Sequence, residues 1–184
     1  MRNIEKCGQI RTGRNESIEV HNMKVLLCKL GKRLGFEVDI EEGQESELGK
    51  LAIRHDVLWY ASSPEWYKEL LRIILRRKDL DKQYKKLIEQ KINMKRQLYA
   101  AFEIEATDLT TKAMKGDISN LSKLPYGLVV VKRGKPEKTL GNAEPIRNRF
   151  ERALVEFRLL HGPNNVLIIS FDDIEKLSEF YGIP

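Results

Sequence analysis

The chain has 184 residues, 41% of them hydrophobic and 33% charged, with a net charge of +6, which bounds it to one globular domain over 1–184 with room for a buried core. The basic balance suits a polyanionic partner without requiring one. No stretch approaches 18 apolar residues, no signal-peptide run opens the chain, and Cys7 and Cys28 lack metal spacing and are too few for a disulfide framework, so no membrane contact and an intracellular, cytoplasmic protein are expected.

Residues 1–16 are polar and glycine-bearing and read as a flexible arm. From Ser17 to Leu34 the apolar positions Ile18, Val25, Leu26, Leu30 and Leu34 recur at helical spacing, and Gly35 stands where a C-terminal cap belongs. Glu16 and Glu19 sit at the start of this helix, where its dipole favours acids. Phe36 to Ile40 alternates apolar and acidic residues as a first strand, Glu41 to Lys50 is a polar turn, and Leu51 to Ala61 is a second strand carrying His55 and Asp56.

Pro64 opens a helical insertion over 64–98, either a hairpin broken near Asp79 to Asp81 or one long helix. Trp66, Leu70, Ile73 and Ile74 mark one apolar face, and Leu80, Tyr84, Leu87, Ile88 and Met94 mark a second. Lysines and arginines outnumber acids here by as much as the net charge of the whole chain. Two readings fit that excess. Arg72, Arg76, Arg77, Lys82, Lys85 and Lys86 can grip phosphates beside an active site, or the insertion is a solvated face laced with ion pairs.

The next strand, Ala100 to Thr107, breaks its apolar run with carboxylates. Alternation puts Glu103 and Glu105 on one face and Phe102 and Ile104 on the other, and a neighbouring strand can bring Asp56 alongside. Three carboxylates so close raise one another's pKa unless a cation relieves them, and oxygen donors suit a hard ion such as Mg2+ or Mn2+. The bland alternative is a solvated face of a half-exposed sheet.

Thr107 or Asp108 caps a further helix that runs to about Leu124 and stops at Pro125. Tyr126 to Lys132 reads as a strand buried on both sides, and Lys132 to Pro136 as a basic turn. Ala143 to His161 is an amphipathic helix with Phe150, Leu154, Phe157 and Leu160 inward; Val166 to Phe171 is the last strand, followed by a helix from Asp172-Asp173 to Tyr181-Gly182. The order predicts an α/β fold, a central mixed sheet flanked by helices on both faces. No glycine-rich phosphate loop is present, so no nucleotide cofactor is expected.

The Asp56-Val57-Leu58-Trp59 strand, the helical insertion, the Phe102-Glu103-Ile104-Glu105 strand and the helix through Thr111, Lys112, Gly116 and Asn120-Leu121 together resemble the PD-(D/E)XK nuclease superfamily. The likeness is nearest to restriction-endonuclease-like members whose motif strand reads Phe-Glu-Val-Glu. It implies a restriction-endonuclease-like core that hydrolyses DNA, working as a homodimer. It also implies that Asp56 and Glu103 bind the metal, with the Ile104 carbonyl completing the shell and an acid of the first helix, Glu19 or Glu16, nearby. Two positions depart from the pattern. Arg54-His55 stands where the motif has proline, and Glu105 replaces the motif lysine, so the missing ammonium must come from elsewhere, with Lys112 and Lys115 as candidates, or catalysis is lost. In the second case the chain is a nuclease-fold module that binds DNA or a protein through its basic arm.

Overall fold

A computed structural model of the chain describes residue 7 and residues 16–40, 55–94, 96–106, 111–132 and 146–183. Helix α1 (Ile18–Arg33) starts where Ser17 accepts a hydrogen bond from the Val20 amide. It ends at Gly35, whose φ of +91° is the left-handed conformation that the capping position requires. Strands β1 (Glu37–Ile40) and β2 (Val57–Ser62) follow; residues 51–54 of the expected second strand lie outside the described residues. The insertion is a hairpin of α2 (Glu65–Leu75) and α3 (Lys82–Asn93), the latter capped by Asp81. Strand β3 (Arg96–Glu105), helix α4 (Thr111–Leu121), strand β4 (Tyr126–Val131), helix α5 (Ile146–His161), strand β5 (Val166–Ser170) and helix α6 (Phe171–Phe180) complete the order. Ser170 and Asp173 close a reciprocal capping box on α6.

Among the described residues the five strands form one sheet in the order β1-β2-β3-β4-β5. β1, β2 and β3 pair antiparallel, while β3, β4 and β5 pair parallel. The parallel half requires crossovers, which α4 and α5 supply, and both pack on one face of the sheet. α1 and α6 cover the other. The mixed sheet between helices is therefore the one expected. Alternation along β3 divides the two cores: Phe102 and Ile104 join Met23, Leu27 and Leu30 of α1, whereas Ala101 joins Met114 and Ile118 of α4. β4 supplies Val130 to the first core and Val129 and Val131 to the second, so it is buried on both faces.

Three expectations are corrected. The insertion ends before Leu98, because Arg96, Gln97 and Leu98 pair with Ser62, Ala61 and Tyr60 of β2 and so belong to the sheet. Leu160 points to solvent and not inward, being 75% exposed while Phe150 and Leu154 are buried. Sixteen helical residues span about 24 Å and the five of β5 only about 17 Å, so the last turn of α5 overruns the sheet. Finally, Cys7 and Cys28 are joined in a disulfide with Cα atoms 5.9 Å apart. Two cysteines make no framework, but one bridge needs only that proximity. It ties part of the expected arm to α1 and removes the support that cysteine usage gave to an intracellular setting.

Candidate active site

β2 and β3 meet where both lines of sequence argument converge. Val57 pairs with Phe102, which leaves His55 and Asp56, just ahead of β2, beside Glu103 and Ile104. Asp56 Oδ2 accepts a hydrogen bond of 2.8 Å from the Ile104 amide. Its Oδ1 lies 2.7 Å from Lys24 Nζ, and that same ammonium reaches Glu16 Oε1 at 2.7 Å. Lys24 is buried on α1. Burial pulls its pKa down, but the bonds to Asp56 and Glu16 more than reverse this and hold it raised. Glu16 in turn lies 3.5 Å from His21 Nδ1.

On the far side, Glu103 Oε1 is 2.6 Å from Nδ1 of the buried His55, a contact that requires one proton between the two atoms. Burial pushes Glu103 up to about 7; the His55 contact opposes the shift, and the charges of Asp56 and Asp117 add to it. Glu105 is pushed up to about 8 by burial and then by Asp117, Asp56 and Glu103. Asp117, on α4, is raised to about 6, by burial and then by Asp56. Four carboxylates thus sense one another at the C-terminal end of β3.

Not every expected residue lies here. Glu19 is held by Lys132 at 2.6 Å, so Glu16 is the first-helix acid linked through Lys24 to Asp56. Lys115 pairs with Glu156 of α5 at 2.7 Å, away from the carboxylates. The side chain of Lys112 lies outside the described residues. The basic arm joins the sheet between Ser62 and Arg96, eight residues along β3 from Ile104 and roughly 26 Å away. Its root is therefore not beside Asp56. Arg72 bonds to Glu65 and Glu69, and Arg77 to Asp79, whereas Arg76, Lys82, Lys85 and Lys86 have no ion-pair partner among the described residues.

Neither a family model nor a curated protein nor a solved structure matches the chain. The site is judged on its own chemistry. Its donors are oxygens whose ionisation costs energy, which fits a hard divalent ion. As placed, no three acidic, histidine or cysteine groups among the described residues gather closely enough to hold one, and Lys24 and His55 occupy oxygens that an ion would take.

Lys24 and Asp117 are the residues that sequence reasoning missed. Lys24 follows Met23 and precedes Val25 inside an apolar helix face, where a lysine needs an acidic partner, and that was the available signal. Asp117 had none, since an acid on a helix is ordinary.

Proposed function

We propose that the chain is a metal-dependent phosphodiester hydrolase acting on DNA. The observation that carries this reading is the cluster of Asp56, Glu103, Glu105 and Asp117, three of which are held near neutrality by burial and mutual repulsion. Such a cluster stores affinity for a divalent cation. Asp56, Glu103 and the Ile104 carbonyl would hold Mg2+ or Mn2+, with Glu105 beside them. An ion bound there would polarise the phosphate and supply hydroxide near neutral pH.

The chain's own residues do the rest. Lys24 orients Asp56 and offers the ammonium that Glu105 displaced from the motif strand. His55 holds the Glu103 carboxyl in place. Glu105 orients the attacking water and takes its proton. Cutting both strands of a duplex calls for two such sites, hence a homodimer.

The test is cleavage of supercoiled plasmid, linear duplex and single-stranded DNA with Mg2+, Mn2+ or EDTA, comparing the wild type with Asp56→Ala and Glu103→Ala. Both substitutions should lower metal-dependent cleavage by at least about a hundredfold while far-ultraviolet circular dichroism stays unchanged. Undiminished cleavage in both overturns the reading. A second reading, a module that has lost catalysis, is favoured by the partners already on Asp56 and Glu103. Absence of cleavage by wild-type protein under every metal condition would select it.

A further inference from the structure

The α2–α3 hairpin is poorly covered. Its helices pack principally on each other, and Leu71 and Ile88 are the residues that they bury. Yet Trp66, Leu70 and Ile73 on α2, and Tyr84 and Leu87 on α3, are between 43% and 69% exposed. A single exposed leucine is unremarkable, but five large apolar side chains on two short helices need a reason.

Their placement supplies one. Leu70 stands one residue before the buried Leu71, and Leu87 one residue before the buried Ile88, an offset of about 100° in the same rotational sense on each helix. In an antiparallel pair whose buried residues face each other, equal offsets bring both exposed stripes to the same side. Trp66 and Ile73 extend the stripe on α2 at i−4 and i+3 from Leu70, and Tyr84 extends that on α3 at i−3 from Leu87. The hairpin therefore presents one apolar face with a groove between its helices.

Charge decides what fits the groove. On α2, Glu65 and Glu69 are matched by Lys68 and Arg72. On α3, Lys82, Lys86 and Lys91 have no ion-pair partner among the described residues, and Glu89 is the one acid of that helix. A second copy would bring the same uncompensated lysines against these. Duplex DNA would satisfy the lysines but leave the apolar stripes in water. An acidic amphipathic helix satisfies both.

We propose that the α2–α3 hairpin is the docking platform for an acidic amphipathic helix of a partner protein, which lies in the groove between the two stripes as a third helix. The proposal does not rest on the hydrolytic reading. Trp66, 69% exposed within the platform, is its own reporter, since Trp59 is buried in the core. The experiment titrates the full chain with a synthetic acidic peptide of about five helical turns, leucines at i, i+3, i+4 and i+7 and glutamates elsewhere, against a scrambled control.

A saturable blue shift of Trp66 emission is expected with the patterned peptide alone. Leu70→Glu with Leu87→Glu, both at exposed positions that the fold tolerates, should weaken it at least about tenfold, as should Lys82→Glu with Lys86→Glu. No saturable shift, or an equal shift with the scrambled peptide, overturns the proposal. So does self-association on this face, seen as a sedimenting dimer that Leu70→Glu dissolves. A shift produced by duplex DNA or anionic vesicles but not by the peptide also overturns it.

Discussion

Glu103 and Glu105 are costly residues, and the cost has a sign. Both carboxyls have folded-state pKa values raised well above their ordinary ones, to about 7 and about 8. The folded chain therefore binds more protons than the unfolded chain between the ordinary carboxylate range and about 8, and stability must fall as pH rises across that window. Below about 4.5 both states are protonated and the penalty vanishes. Thermal melting in EDTA should show a Tm lower at pH 8 than at pH 5.5, with Glu103→Gln and Glu105→Gln each flattening the decline. Millimolar Mg2+ should raise Tm more at pH 8 than at pH 5.5, since the ion competes with the protons for the same oxygens. A Tm independent of pH in wild type would show that these carboxyls are solvated in the folded chain. A pH slope that Mg2+ leaves untouched would separate a proton-holding cluster from a metal centre.

Elements were legible in the sequence where a short-range physical signal fixed them. Gly35 ended α1 because only a left-handed residue fits there, and the unbroken apolar run of β4 announced burial on both faces. The start of β3 was not legible, since Arg96 to Leu98 carry no strand signal of their own and are extended because Ser62 to Tyr60 of β2 await partners. Lys24 was hidden for the same reason: its partner Asp56 is 32 residues away. Two glycines separate local from tertiary constraint. A Cβ on Gly116 in α4 meets nothing within 4 Å, whereas one on Gly127 in β4 would lie 2.7 Å from the Leu121 carbonyl oxygen and Cβ. Gly116→Ala should therefore stabilise by about 0.5–1 kcal/mol through helix propensity and the unfolded chain. Gly127→Ala should destabilise by about 1–3 kcal/mol, because backbone must move. Denaturant melts check both, and equal effects would mean that α4 does not press on β4 as described.

Over the whole molecule, the carboxylate cluster and the root of the helical hairpin lie at opposite ends of β3, so one strand carries two surfaces that can act independently. A single covalent tie also spans the fold's N-terminal side. Cys28 lies one turn beyond Lys24 on α1, and its bridge to Cys7 encloses a 21-residue separation. Closing a loop of that size removes unfolded-state entropy worth about 3 kcal/mol. For a chain of this length each kilocalorie moves Tm by about 2–4 °C. Both cysteines are buried, so reduction requires at least local opening, and incubation with a dithiol reductant should lower Tm slowly and by several degrees. Cys7→Ser with Cys28→Ser should melt at the reduced protein's temperature and ignore the reductant. Alkylation of the unfolded, unreduced chain should modify no cysteine. Two modified cysteines there, with a Tm insensitive to reductant, would mean that the pair stays reduced in solution and that packing on α1, not the cross-link, holds Cys7 in place.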